Sequence, residues 1–542
     1  MCARPQALQV LEAPGCGILR GVNPLSSPAS SIAPAQTPAL EIPEGTSGLV
    51  LALDIGTSST RALLFDTRGH KLGSAQRPYS NSTTPDGGVQ MDADALFDLT
   101  VACIDQLHAE LEALVVPTKP EVLAAACSCF WHSIVAVDAG GKALSPVYSW
   151  ADNRAAPWVE PLRATLDEAS THARTGCVFH PSYWPAKLLW LHATQPDWFK
   201  PETRWMSFGE YLQLRLTGQA RASLSMASGT GLFNQNALSW DEPTLVALPI
   251  GESQLSPLCD AGDALGPLAS TWSERWLRFK GAKWFPALGD GACSNVGSGG
   301  VDASSIALNC GTSGALRIVL ENWTQDAPRG LWRYRIDKKR TVLGGALSNG
   351  GSVLHWALAN LKLPQDWDAQ LALRRANPKP HHLSVLPFLA GERSPLWDAR
   401  ARLVIEGASL DTDTIELLQA LLEGASLRFK AVADALRASM HAAGLDSGVP
   451  ILFSGGALEA SATWAQIMTD CLAVPLIESR EKEASARGAA LLALEACQVI
   501  GSIADLPAER GRTIQPDAAQ SAFFKSALQE QEALYQHLYG RS

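Results

Sequence analysis

Two short turns carry the residue types that bind phosphate. The first is Gly56-Thr57-Ser58, preceded by Asp54, and the second is Gly311-Thr312-Ser313, preceded by Asn309. Glycine lets the main chain approach a phosphate closely, successive N–H groups in a tight turn make a concave anion site, and Thr and Ser hydroxyls add donors. Asp54 could hold a Mg²⁺ through water. Its counterpart Asn309 carries no charge, so only one turn would supply a metal carboxylate. Ordinary hairpins remain the alternative for either turn. No GxxxxGK[ST], HExxH, GxSxG or GxGxxG pattern occurs, which removes P-loop nucleotide sites, zincins, α/β-hydrolases and simple dinucleotide binders.

The elements around both turns read alike. LVLALDIG is an apolar strand, GTSST turns, and RALLFD is a second strand; SSIALNCGTSGALRIVL repeats the plan. Placing Ala52–Ser58 over Ala307–Ser313 gives five identities in seven positions, 255 residues apart. That is close to half of the 494 residues from Leu49 onward, and it reads as a duplication. Two similar α/β domains facing each other across a cleft are therefore expected. Helices are expected over 94–114, 414–436, 461–473, 485–500 and 518–539, with strands over 122–136 and 450–453. The boundaries expected are a disordered leader over 1–48, domains over 49–302 and 303–510, and a helical tail over 511–542.

Composition sets the class. The chain of 542 residues is 46% hydrophobic and 18% charged, so it can bury a large core, and its net charge of -10 disfavours nucleic acid or anionic membrane as a partner. The eleven cysteines form no CxxC pair, and no apolar run reaches the roughly 18 residues of a membrane span. A soluble cytoplasmic protein is expected.

Seven segments give the pattern a family likeness: DIGTSSTRALLFD, WHSIVAVDAGGKALSPVYSWADNRA, LGDGACSNVGSG, GTSGALRIV, GGALSNGGSVLHW, LPFLAGERSPLWD and SGGALEASATWAQIM. In this order and spacing the chain resembles the FGGY carbohydrate kinases over about residues 49 to 500, with WADNRAA, HPSYWPAKLLWL and GGALSNGG most similar to the gluconate kinases. The resemblance implies a duplicated actin/hexokinase/Hsp70-like (ribonuclease H-like) fold with ATP, Mg²⁺ and a sugar in the interdomain cleft. It places the general base on Asp290, where a turn-capping Asp is the alternative, and makes Asp54 and Asp290 the metal carboxylates. Substrate contacts fall on Trp131, His132, Asp152, Asn153 and Arg154; Arg154 would suit a substrate carboxylate. His132 as a core histidine and Arg154 as a surface ion pair are their alternatives.

On the nucleotide side the resemblance points to Arg61, Gly351, Gly455 and Gly456 beside the two turns; an exposed strand residue and a plain strand-to-helix turn remain alternative readings of Arg61 and of the Gly pair. Trp131 stands where the family has Met, and Trp131, Trp150 and Trp184 on the sugar side suggest a substrate bulkier or less charged than gluconate. The function implied is ATP-dependent phosphorylation of a primary hydroxyl of a sugar or sugar acid, gluconate first and xylulose second. A catalytically silent nucleotide-binding regulator is the alternative of another class. The partner is a small molecule, and a homodimer is left open.

Overall fold

The computed structural model describes residues 40–115, 119–376 and 381–540. The expected leader lies outside the described residues up to residue 39. Its last part does not behave as a leader, because Leu40 is buried in the first core and Ile42 packs against it.

The first sheet contains β1 (Leu49–Ile55), β2 (Ser59–Asp66), β3 (Lys71–Pro78), β4 (Val122–Cys129) and β5 (Lys283–Gly289) in the order β5-β4-β1-β2-β3. The second contains β6 (Ile306–Cys310), β7 (Gly314–Glu321), β8 (Trp332–Arg335), β9 (Arg340–Leu347), β10 (Ile451–Ser454), β11 (Leu476–Ser479) and β12 (Arg510–Ile514), in the order β8-β9-β7-β6-β10-β11-β12. Removing the edge strands β8 and β12 leaves the same five-strand order. The pairings also match: β1–β2 and β6–β7 are antiparallel, whereas β1–β4 and β6–β10 are parallel. The repeat read from seven residues is thus a repeat of topology. Every residue of β1 is buried, as a central strand with parallel and antiparallel neighbours requires.

Helices flank the sheets. α1 (Ala93–Ala113) opens on Asp92, whose side chain accepts from Ala95 N–H. α2 (Trp184–Thr194) lies in a separate small core, α3 (Asp290–Gly297) leads from the first sheet to the second, and α4 (Gly351–Asn360) follows β9. α5 (Thr414–Ala442) begins at a capping box of Asp413 and Glu416 and packs on the second sheet beside α6 (Ala462–Leu472). Trp464, Met468 and Cys471 of α6 are all buried in the second core, as their helical spacing suggests. The C-terminal helix α8 (Ala518–Tyr539) buries Phe524 and Gln531, and Gln531 Nε2 donates to Val385 O at 2.7 Å. No helix among the described residues is long and apolar enough to cross a membrane.

Two expectations need correction. The strand expected over 122–136 stops at Cys129, because the chain turns at Trp131-His132, with His132 at φ +65°, before β-structure resumes at Val135. The helix expected over 485–500 is α7 (Ala484–Ala496), and it packs with β1, β4 and α3 in the first core rather than the second. Small residues make this possible. A Cβ on Gly297 of α3 would lie 1.8 Å from Ala484 O, and one on Gly488 of α7 would lie 1.9 Å from Cys293 O. The two backbones touch directly, and Arg487 Nη1 closes the crossing by donating to Gly297 O at 2.9 Å.

Gly488→Val should therefore cost about 3 kcal/mol or more, because backbone cannot move aside as a side chain can. Gly456→Ala, where a Cβ meets nothing within 4 Å, should stay within about 0.5 kcal/mol. Denaturant midpoints of the two variants test the difference.

Candidate active site

The site is assembled where β4, β5 and the two turns meet. After β4, Trp131 inserts its indole between glycines: a Cβ on Gly229 would come within 2.5 Å of it, and one on Gly289 within 1.9 Å. Trp131 Nε1 donates to Ser225 O at 2.9 Å, so the ring is fixed by its polar edge as well. The other glycine beside Asp290 has the same cause. A Cβ on Gly291 would meet Trp131 at 2.5 Å and the Arg317 guanidinium carbon at 3.2 Å. Gly-Asp-Gly is thus the sequence that lets Asp290 stand at the start of α3 with aromatic and cationic groups against its backbone.

Asp290 lines a cavity of about 210 Å³ together with Thr57 of the first turn and Asn309, Ser313 and Gly314 at the second. Aromatic side chains from both domains complete the walls. Trp332 and Tyr334 stack at 4.3 Å, Trp131 lies 4.8 Å from Tyr334, and the Tyr183 and Tyr334 hydroxyls are 2.6 Å apart. Burial raises the Asp290 carboxyl above the usual carboxylate range, and neighbouring Asp54 adds to the rise; Arg317 and the Gly291 N–H, which donates at 2.8 Å, oppose it. The Gly291 bond to Oδ1 is the contact that the turn-capping alternative expects, and the Trp131 backbone also favours the ionised carboxylate.

His132 lines the same cavity. Burial lowers it to about 3, leaving the imidazole neutral. Its Nδ1 faces Gly229 O and must donate there, so Nε2 is left as an acceptor. Behind it, Lys187 of α2 is buried and donates to Ser182 O at 2.5 Å and His132 O at 3.5 Å, its ammonium pushed down by burial to about 7.

Three residues expected at the sugar do not line this cavity. Asp152 is buried but accepts from Val89 N–H at 3.0 Å and from Arg154 Nε at 3.1 Å. Arg154 also donates to Gln90 at 2.6 Å and lies 4.7 Å over the Trp190 ring. Asn153 is exposed. Asp152 and Arg154, both expected at the substrate, thus form an internal ion pair that fixes a loop, and the cation expected for a substrate carboxylate is already partnered. Trp184 also leaves the sugar side: it is buried in the small core and donates from Nε1 to Ser133 O at 3.0 Å. Trp150 stays at the cavity. Two cavity arginines were not singled out from the sequence, Arg317 and Arg393, although each lies within a segment that carries the family likeness.

Around the first turn, Asp54 is buried and accepts from Arg61, directly opposite it across β1 and β2. Burial raises the Asp54 carboxyl despite that partner. Arg61 reaches on to Glu483, just before α7, at 2.6 Å, so it ties the first hairpin to the chain returning from the second domain. Gly56 N–H is used within its own turn by Ser59 O at 3.0 Å, while Ser58 is exposed. At the second turn, Gly351 N–H donates to Gly311 O at 2.6 Å and Ser352 N–H to Thr312 O at 3.0 Å, which seats α4 against the turn. Gly455, at φ +107°, lies against the Cys310 carbonyl, and a Cβ on Gly351 would be 2.7 Å from Ala457. Gly311, Gly351 and Gly455 thus converge, with open space over Gly456. No cluster of three or more metal-ligating side chains occurs among the described residues. Mg²⁺ with a nucleotide needs only one or two carboxylates, because phosphates and water fill the other positions. Asp54, buried, and its half-buried neighbour Asp290 fit that requirement.

Two sheets of one order, with a carboxylate between paired Gly-Thr-Ser turns, define a duplicated two-domain fold of the actin/hexokinase type. The chain belongs to the FGGY family of carbohydrate kinases, whose N-terminal domain matches residues 49–297 and whose C-terminal domain matches residues 306–497. It is similar to a gluconokinase of Bacillus subtilis (27% identity over 468 residues, 84% of this chain and 88% of that one). It is also similar to a xylulose kinase of Escherichia coli (26% identity, 90% and 99%). Among solved structures, a gluconate kinase from Lactobacillus acidophilus superposes with a TM-score of 0.81 at 26% identity, covering 91% of this chain and 98% of that one.

The buried Lys187 gives a pH signature. Its folded value of about 7 lies below the ordinary lysine value of 10.5, so between these limits the unfolded chain binds one proton more than the folded chain. Its contribution to stability should rise with pH across that window. Lys187→Met should flatten this rise relative to the unsubstituted protein, measured by denaturant unfolding from pH 7 to 10.

Proposed function

We propose that this kinase transfers the γ-phosphoryl group of ATP to the primary hydroxyl of gluconate, giving 6-phosphogluconate. The observation that carries the reading is the single cavity shared by Asp290, Thr57 and Ser313, which brings a base within one space with both phosphate-type turns. The named relatives favour gluconate, with xylulose as the second substrate to try.

Asp290 accepts the proton of the attacking hydroxyl. Arg317 and the Gly291 N–H favour its ionised form against burial and Asp54. His132 Nε2 accepts a hydrogen bond from a substrate hydroxyl, and the flat walls of Trp131, Trp332 and Tyr334 pack on the carbon chain. Residues of the turns hold the phosphates from the two sides, and Gly455 and Gly456 lie along the adenosine. Asp54 and Asp290 would hold Mg²⁺, which would supply neutralisation of the phosphate charge. Arg61, shared between Asp54 and Glu483, positions that carboxylate and does not itself contact the phosphate. Substrate binding closes the domains and expels water, which suppresses idle ATP hydrolysis. The described cysteines, none of them in a disulfide, suit a reducing cytoplasm as the place of the reaction.

A general base is worth about 10²- to 10⁴-fold. Asp290→Asn should lower kcat by that factor while nucleotide binding persists. ADP release from Mg·ATP with gluconate, xylulose, ribulose, glycerol and sedoheptulose gives the test. A wild-type protein that none of these substrates activates would overturn the reading.

A further inference from the structure

The cavity contains more positive charge than the protein neutralises. Arg317, on β7, lines it, yet among the described residues it donates no hydrogen bond and forms no ion pair, and its Nε is buried without a partner. Arg393 lines the same cavity. One Nη donates to Leu347 O at 3.1 Å, the guanidinium lies 5.1 Å over the Trp150 ring, and its Nε is also buried and unpartnered. No carboxylate pairs with it among the described residues.

Several arginines elsewhere meet carboxylates, whereas the buried Arg333 and Arg335 donate to carbonyl and amide oxygens instead. Arg428, buried, meets Glu392 at 2.7 Å; Arg154 meets Asp152; and Arg340 meets Asp337 and Glu495, each at 2.5 Å. The Arg317 and Arg393 side chains are both half-buried and face the cavity without a carboxylate within ion-pair distance among the described residues, so a ligand that supplies an anion fits them. Burial, and to a smaller extent the positive charge of Arg317, push Arg393 down to about 10 against the opposing effect of Tyr183 and Tyr334. Asp290 attracts Arg317 without reaching ion-pair distance.

We infer that Arg317 and Arg393 form the subsite for the carboxylate of a sugar-acid substrate and so select the acid over a neutral polyol of the same shape. This rests on the reading of the site as a sugar-acid kinase. Two forked donor groups suit the two oxygens of one carboxylate. Asp290 acts on Arg317, and the Arg393 guanidinium lies over the Trp150 ring beside Tyr183 and Tyr334.

A transferring phosphoryl group is the other anion that comes to Asp290, and the test separates the two. Gluconate and glucitol differ only at C1, where a carboxylate replaces a hydroxymethyl group. kcat/KM for both is measured by ADP release for the wild type, Arg317→Gln and Arg393→Gln, with calorimetric titration of gluconate in the absence of nucleotide. Arg317→Lys and Arg393→Lys stand in where thermal melts show a Gln variant unfolded. The wild type should prefer gluconate by about a hundredfold or more, since a site built to bind a polar group rejects the analogue lacking it. Each Gln variant should lower the gluconate-to-glucitol ratio of kcat/KM by at least about tenfold, chiefly through KM for gluconate, with gluconate binding weakened in the titration.

A preference that moves less than about threefold in both variants would overturn the inference. So would a loss shared equally by gluconate and glucitol, which would place the arginines on Asp290 or the phosphate. If the wild type binds gluconate but does not phosphorylate it, and the variants lose binding, the subsite stands while the kinase reading falls. If the wild type neither binds nor phosphorylates gluconate but turns over neutral sugars, both fall.

Discussion

The indole of Trp131 occupies the volume that side chains at Gly229, Gly289 and Gly291 would otherwise fill, and the position of Asp290 follows from that wedge. With the ring held at Ser225 O and pressed against β5, the chain can leave the strand only through Gly-Asp-Gly. The carboxylate is then the first side chain large enough to enter the cavity. The same ring touches Tyr334 of the second domain, so the wedge also sets where the opposite wall stands. A bulky residue where the family has Met does not open a wider pocket here. It fills space between backbones and leaves a cavity of about 210 Å³.

Charge is distributed unevenly between the duplicated halves, and that asymmetry gives them different work. In the first half Asp54 faces Arg61 across the hairpin; in the second, Asn309 faces Ala315, and the arginine has moved along β7 to Arg317. The first hairpin therefore closes its charge internally and through Glu483. The second leaves a guanidinium facing the cavity. One topology thus yields a half suited to carboxylate and metal, and a half whose cation awaits an anion.

Much of the architecture was legible because the turns are local. Gly-Thr-Ser with a strand on each side fixes a hairpin, and its recurrence half a chain away implies the second sheet, both of which are present. The helices over α1, α5, α6 and α8 followed from their periodicity and caps. α7 was legible as a helix but not as to its domain, because an Ala-rich sequence carries no address; only the glycine-to-backbone contact with α3 specifies it. The break after Cys129 was hidden inside an apolar run, since its cause is a left-handed His132 stabilised by tertiary bonds. Asp152 and Arg154, two residues apart, look from sequence like groups free for a sugar, yet they bind each other. Arg317 and Arg393 look like solvated charges on strand and loop. Their importance lies in the partners they lack, and a missing partner has no sequence signal.

The crossing of α3 and α7 bears on how the cavity can open. Asp290 is the first residue of α3 and Gly297 the last, so the base and the closest backbone contact in this region are at the two ends of one short helix. α7 enters the first core although β11 before it and β12 after it belong to the second sheet, and Arg487 ties it to Gly297. Rotation of the second domain must therefore preserve this contact, because neither backbone can slide past the other. Asp290, Trp131 and Thr57 would stay together on the first domain while Ser313, Arg317 and Tyr334 travel with the second. An anion bridging Arg317 or Arg393 would then pull the moving wall toward the fixed base, so recognition of the acid end and closure over the reacting end would be one event.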